Sequence, residues 1–484
     1  MGKFTAEASA NTVVDDRRQP LSENEKYPEF IDYKALSKLA CRPEAGDGEI
    51  VEILSRAAEL KGLNVKDAAA LLSVRRPERI RWIMSAAEQA KQTIYGKRLV
   101  MFAPLYTSNH CINNCLYCGF RKDNTDLKRR TLSLEEIRAE TRILLKEGHK
   151  RLLVLTGETG DNDLSALKET LRTIYQVKEN GQGIRRINVE IAPLTTAQFR
   201  ELKTCKIGTY ICFQETYNPE LYGRYHPTGP KADYKNRLFV MHRAMEAGMS
   251  DVGIGALFGL ADHRVETLAL LKHAEALERC FKCGPHTVSV PRIEPAHGAA
   301  LSESIPFPVN DDAFRTIIAV LRLALPYTGI ILSTRESAAM RHELFRYGVS
   351  QISAGSRTAI GGYTENQAEE GQFSLADNRS MEEVIDELID MGFIPSFCTG
   401  CYRKGRVGRD FMDLAKPGLI KSFCHPNGLV SFAEYLSDFS GTKTRKNGFD
   451  LIEKLVEQEK NQTIQGGIRK SLERVAAGER DIYL

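Results

Sequence analysis

No stretch of these 484 residues is apolar for long enough to cross a bilayer: the longest apolar-looking run, VGIGALFGLA, falls far short of the ~20 residues a span needs. The opening MGKFTAEASANTVVDDRRQP has no apolar core of the kind a secretory leader carries, so a cytoplasmic protein is expected, with no membrane partner. A large charge of either sign is also missing. The 67 Lys and Arg against 63 Asp and Glu leave +4, too little excess to argue for a nucleic-acid partner. There is no internal repeat and no dinucleotide fingerprint, because Gly253, Gly255 and Gly259 in GIGALFG miss the G-x-G-x-x-G spacing. The eleven cysteines are odd in number and clustered, which suits metal-binding thiols in a reducing compartment better than a disulfide framework. At 42% hydrophobic and 27% charged, the composition is that of an ordinary soluble enzyme.

What is present is an alternation of strand and helix signals. Short β-branched and apolar runs occur at 97–108, 151–157, 187–193, 209–216, 251–259, 286–295, 329–335 and 349–357. Amphipathic segments such as LSLEEIRAETRILLKEGH (132–149) and ADYKNRLFVMHRAMEAGM (232–249) lie between them. Eight apolar strands with intervening helices predict an α/β fold, a (β/α)8 TIM-type barrel over 97–364, with a doubly wound sheet as the runner-up. Residues 1–96 read as an N-terminal helical extension. Residues 365–484 read as a mainly helical C-terminal domain that contains a Gly- and Arg-rich cysteine segment.

Just after the first strand, SNHCINNCLYCGF sets Cys111, Cys115 and Cys118 in a C-x3-C-x2-C array. A structural zinc site wants four protein ligands, and only His110 is near enough to be a fourth. Three thiolates can hold three corners of a 4Fe-4S cluster and leave its fourth iron open to a small molecule. CTGCYRKGRVGRDFMDLAKPGLIKSFC repeats the theme with Cys398, Cys401 and Cys424. Two such centres in one chain imply two jobs. Cys280 and Cys283 in CFKC lie at the end of a helical pattern, away from the barrel's catalytic end, and read as structural or surface thiols; Cys41, Cys205 and Cys212 have no sequence partners.

The CINNCLYC array, with an aromatic before its last cysteine, resembles the signature of the radical S-adenosylmethionine (SAM) enzymes. The resemblance implies that the open iron chelates SAM and that an electron from the cluster cleaves it to a 5′-deoxyadenosyl radical. It assigns Tyr117 to adenine packing, and Gly157 and Glu158 in TGE to the methionine amino group, with Thr156 in place of the family's usual Gly. Glu215 and Arg237 would make the ribose and carboxylate contacts.

FQETYNPELYGRYHPTGPKADYKNRL, STRES and SAGSRTAIGGY resemble the subgroup that cuts L-tyrosine at its Cα–Cβ bond. Two branches compete there: the 2-iminoacetate synthase of thiamine synthesis and the FeFe-hydrogenase maturase, which makes p-cresol, CO and cyanide. The Cys398, Cys401 and Cys424 array resembles the auxiliary-cluster motif of the maturase branch. That branch implies two 4Fe-4S clusters, the auxiliary one carrying a labile fifth iron for which His263 is the expected imidazole. For tyrosine, Arg335 offers a bidentate fork for the carboxylate and Ser353 a hydroxyl. An ion pair with Glu336 is the bland alternative for Arg335. Expected partners are L-tyrosine, an electron donor such as ferredoxin or flavodoxin, and other hydrogenase maturation proteins. A non-catalytic iron–sulfur carrier is the reading from another class; it explains six cysteines but not the strand-end residues.

Overall fold

A computed structural model describes residues 23–160, 164–365, 371–416 and 419–484; the opening segment read above for a leader lies outside them. Eight parallel strands follow one another around a sheet that closes when β1 (Arg98–Ser108) pairs with both β2 (Arg151–Thr156) and β8 (Gln351–Ser353). Between them run β3 (Arg186–Glu190), β4 (Thr209–Ile211), β5 (Asp251–Gly255), β6 (Thr287–Ser289) and β7 (Gly329–Leu332). Every residue of β4 to β8 is buried, as expected for strands covered by side chains inside and helices outside. Strand glycines are used where neighbours crowd: a Cβ on Gly255 would meet the Phe213 ring at 2.6 Å and one on Gly253 would meet Thr287 Oγ1 at 2.5 Å. The arrangement is a (β/α)8 barrel.

Several strands end earlier than the apolar runs suggest. β4 stops at Ile211 and β6 at Ser289, and the residues beyond leave the ladder for loops held by single bridges, Glu215 to Ala256 and Phe258 to Arg292. The expected helix 132–149 forms over Leu134–Lys146, started by a Ser133/Glu136 capping box. The segment 232–249 is not one helix. It breaks at Phe239 into Tyr234–Leu238 and Val240–Glu246. The Asn236 carbonyl there accepts from Arg243 Nη2 at 2.8 Å.

Four helices, Tyr33–Ala40, Asp47–Ala57, Val65–Leu72 and Pro77–Tyr95, precede β1. The last packs along the helix Asp311–Ala324. After β8 the chain forms the helix Met381–Asp390 and then a ninth strand, β9 (Ile394–Ser396), which pairs in parallel with the first residues of β1, Arg98 opposite Ile394. The alternation pattern does not reveal β9, because it is three residues long and carries Pro395. It joins the C-terminal segment to the start of the barrel, the end opposite the βα loops. Helices Ile420–Asp438, Thr442–Glu457 and Gln462–Ala476 complete that segment. Among the described residues no helix is long and apolar enough to cross a membrane.

Candidate functional site

The loop after β1 carries Cys111, Cys115 and Cys118 at the barrel end where βα loops gather. All eleven cysteines are free thiols. The Cys118 amide donates to the Cys115 carbonyl (3.2 Å), curling the motif into a turn. Amide donors face two of the sulfurs: Asn113 Nδ2 is 3.8 Å from Cys111 Sγ, and Gln372 Nε2 is 3.6 Å from Cys118 Sγ. Burial pushes the Cys115 thiol up to about 12, so a thiolate there needs a compensating charge of the kind iron provides. Partly buried sulfurs that accept hydrogen bonds, beside the buried Cys115, fit iron–sulfur ligation.

Asn113, quoted in the motif but assigned no role by sequence, is a hub. Its Nδ2 donates to Glu158 Oε2 (2.6 Å) and its Oδ1 accepts from the Lys231 amide (2.8 Å). Gly157 leaves no room for a side chain: a Cβ would lie 2.1 Å from the His110 carbonyl oxygen and 3.2 Å from Cys111 Cβ. Gly157 and Glu158 line a cavity of about 600 Å3 with Thr107, Ser108, Thr156, Ile191 and Pro193. Tyr117, Glu215 and Arg237 are not in its wall. Tyr117 is buried in an apolar cluster with Cys115, Tyr225 and Leu257, and its hydroxyl is 2.8 Å from His226 Nε2. Glu215 is buried and the Arg237 side chain is only about 10% exposed, which removes the solvated-surface reading for each. Glu215 takes a salt bridge from Lys231 (2.7 Å) and faces Arg237 (3.6 Å), whose Nε donates to the Phe213 carbonyl (2.5 Å). Burial pushes the Glu215 carboxyl up, but the Lys231 and Arg237 charges outweigh it and hold its pKa below the ordinary value. Glu215 also has φ +69°, a left-handed conformation that costs a non-glycine residue about 1–3 kcal/mol and gathers at functional sites. Lys231 is the cation that sequence reasoning missed.

Inside the barrel, Phe102, Pro104 and Tyr106 of β1 line a largely apolar cavity of about 90 Å3 together with Glu190, Phe213, Arg335, Ser353 and Gln372. Tyr106 donates to Gln372 Oε1 (2.9 Å), so one amide joins this cavity to Cys118. Arg335 lies over the Phe373 ring, 3.3 Å from its centroid, and its guanidinium has no hydrogen-bond or ion-pair partner among the described residues. Burial holds its pKa below the ordinary value. The expected competitor for it, Glu336, is taken by Arg292, whose Nε reaches Glu336 Oε1 at 2.9 Å and whose Nη1 reaches Asp311 at 2.9 Å. That leaves Arg335 available to a ligand and Arg292 committed.

Cys398, Cys401 and Cys424 meet at the other end. They line a cavity with Arg98, Val100, Arg151, His286, Gln351, Tyr402 and Arg406. Arg98 and Val100 belong to the same alternating face of β1 as Phe102, Pro104 and Tyr106, so the two cavities sit at opposite ends of one barrel interior. At roughly 3.3 Å per residue the eight steps from Arg98 to Tyr106 span about 26 Å. The Gly400 amide donates to Cys398 Sγ (3.3 Å). The hydrogen bond from Cys401 and the Arg98 and Arg406 charges hold the Cys424 thiol below its ordinary value against burial. Cys283 shares an apolar cluster with Cys424, Tyr95 and Phe411: the end away from the βα loops is the end where this triad sits.

His263 is not beside these cysteines. It begins the helix His263–Phe281 after β5, at the βα-loop end, and lines a cleft with Leu72, Arg75, Phe307 and Asn310. The imidazole in the Cys398, Cys401 and Cys424 cavity belongs to His286, which precedes β6 and so faces the opposite end. Its Nε2 is 3.1 Å from the Tyr402 hydroxyl and its Nδ1 3.6 Å from Asp251. Burial lowers its pKa, favouring the neutral ring that can ligate a metal.

Known proteins match this geometry. Residues 105–271 match the Radical SAM superfamily and 289–394 the Biotin and Thiamin Synthesis associated domain. The 2-iminoacetate synthase of Salmonella typhimurium is 31% identical over 351 residues, covering 72% of this chain and 90% of that protein. A crystal structure of HydG, described as a maturase of the [FeFe]-hydrogenase, superposes with TM-score 0.91 at 43% identity, covering 94% of this chain and 100% of that one. The HydG of Carboxydothermus hydrogenoformans superposes with TM-score 0.79, also at 43% identity, covering 91% and 96%. The HydG match therefore takes in chain length that the synthase leaves over. The chain belongs to the radical SAM superfamily and, within it, to the HydG family.

Proposed function

We propose that this protein is a carbon–carbon lyase that cleaves the Cα–Cβ bond of L-tyrosine to p-cresol and dehydroglycine, and that CO and cyanide are then formed on iron held at the second cysteine triad, for assembly of the FeFe-hydrogenase H-cluster. The observation that carries this reading is the pair of cysteine triads at opposite ends of one barrel interior, with an unpartnered guanidinium between them. A non-catalytic carrier needs no such interior.

Cys111, Cys115 and Cys118 would hold a 4Fe-4S cluster with a position open to SAM, and the two together would supply the radical chemistry. Gly157 and Glu158 hold the methionine amino group, with Glu158 steadied by Asn113. Glu215 and Arg237 take the ribose and carboxylate, and Tyr117 bounds the adenine side. Arg335 binds the tyrosine carboxylate as a bidentate fork and Ser353 adds a hydroxyl, while Phe102, Leu153 and Phe213 receive the ring. With the ring inside the barrel, water is excluded from the reacting carbon.

Dehydroglycine leaves towards Arg151, Arg98 and Arg406, whose charges favour a small carboxylate. There Cys398, Cys401 and Cys424 would hold the auxiliary 4Fe-4S cluster, and His286, its ring steadied by Asp251, would offer an imidazole to the labile iron. Electrons come from a ferredoxin- or flavodoxin-like donor, and the product passes to other maturation proteins. The free thiols suit the reducing cytoplasm. The test is to reconstitute the protein anaerobically, reduce it with dithionite, and measure 5′-deoxyadenosine and p-cresol from SAM and tyrosine. Both should form, and both should vanish in Cys115→Ala. Absence of both in the parent protein sinks the lyase reading in favour of a carrier.

A further inference from the structure

In the cavity between the two triads, Arg335 is not the only charge left without a partner. Glu190, the last residue of β3, lines the same wall, and its carboxylate makes no hydrogen bond or ion pair among the described residues. It sits at the βα-loop end, in ladder register with Leu155 and Ile211. The remaining acid of the cavity at this level, Glu336, is already held by Arg292. Glu190 and Arg335 feel each other's charge but do not touch, so an opposite-signed pair stands apart in a cavity whose other walls are mainly Phe102, Leu153, Ile211, Phe213 and Ile331. Isolated charges in such surroundings are costly unless something pairs them.

A free α-amino acid carries just such a pair, a carboxylate and an ammonium on one carbon. We propose that Glu190 is the ammonium-binding residue of the substrate cavity, so that Glu190 and Arg335 together select an aromatic substrate that is a zwitterionic α-amino acid. This rests on the tyrosine-lyase reading above and adds to it where the amine points. Glu190 lies opposite Ile211 in the ladder, on the strand that leads to Glu215, and feels the Glu215, Arg237 and Lys231 charges, so an amine held there faces the SAM-binding side, where its hydrogen must be lost. Burial and the neighbouring Glu215 push the Glu190 carboxyl up to about 7, as expected of an acid whose counter-ion arrives with the ligand.

The test uses equilibrium calorimetry on reconstituted, unreduced enzyme loaded with SAM, so that no turnover occurs. Three ligands are compared: L-tyrosine, 3-(4-hydroxyphenyl)propanoate, which lacks the amine, and tyramine, which lacks the carboxylate. Glu190→Gln should weaken tyrosine and tyramine at least about tenfold and leave the propanoate as tight as before or tighter, while Glu190→Asp recovers part of the tyrosine loss. Arg335→Lys should show the reverse pattern, weakening tyrosine and the propanoate but not tyramine. Iron content and thermal melting of each variant show that it is folded and loaded. Unaltered tyrosine binding in Glu190→Gln, or equal weakening of tyrosine and the propanoate, overturns the assignment. If the unaltered enzyme binds none of the three, the tyrosine reading itself fails, and that outcome is distinguishable because it precedes any substitution.

Discussion

The Tyr402 hydroxyl lies 3.1 Å from Nε2 of His286, in the cavity that also holds Cys398, Cys401 and Cys424. The Arg186 guanidinium covers the Tyr402 ring at 2.8 Å from its centroid and is salt-bridged to Asp251 (3.0 Å), which in turn faces His286. A tyrosine from the C-terminal segment is thereby locked to residues at the start of three barrel strands. His286→Ala should lower CO release at least about tenfold and remove about one iron per chain, with p-cresol formation largely kept. His263→Ala should do neither. Iron counts and CO trapping by a haem protein check both variants.

Cys401→Ser should separate the halves of the reaction. The Cys111, Cys115 and Cys118 site is at the far end of the barrel, so 5′-deoxyadenosine and p-cresol should persist while CO is lost and cyanide falls. Electron paramagnetic resonance should show one cluster signal remaining. CO release equal to that of the parent would make the C-terminal triad structural.

Arg335→Lys keeps the charge and loses the fork, so the tyrosine KM should rise roughly 10- to 100-fold, the worth of one charged hydrogen bond of about 1.5–3 kcal/mol. Arg292→Lys should leave the tyrosine KM nearly unaltered, because Arg292 is already committed to Glu336 and Asp311. Steady-state kinetics of p-cresol formation distinguish the two.

Stability should depend on pH through Glu266. This fully buried carboxyl accepts from Thr216 Oγ1 (3.0 Å) and the Tyr217 amide (2.8 Å), yet burial raises its pKa to about 7. An acid that holds its proton more tightly folded than unfolded favours the fold below its unfolded pKa, and that advantage is lost as pH rises through about 7. Glu266→Gln should therefore gain stability relative to the parent between pH 5 and pH 8, by up to ~3 kcal/mol. Denaturant melts at the two pH values measure it.

The eight strands are legible in the amino-acid pattern alone, because apolar runs separated by amphipathic helices have few other ways to be buried. The first cysteine triad and the Cys398/Cys401 pair are legible too, since thiols three or four residues apart share one turn whatever the rest of the chain does; Cys424, 23 residues beyond Cys401, joins them only through the resemblance and the fold. The pattern determined the competition for Arg335 only as alternatives; packing decided it by giving Glu336 to Arg292. That His286 and not His263 lines the cavity of the second triad has the same origin. A histidine after β5 and one before β6 face opposite ends of the barrel, and choosing between them requires knowing which end the second triad occupies. That depends on β9, a three-residue strand with a proline, whose pairing with Arg98–Val100 directs Cys398 to the start of the barrel. Lys231, Glu190 and Asn113 were equally hidden, because strand parity and barrel closure fix which side chains face inward, and no local spacing records contacts made across 16, 45 or 118 residues, as those of Lys231 with Glu215, and of Asn113 with Glu158 and Lys231, are.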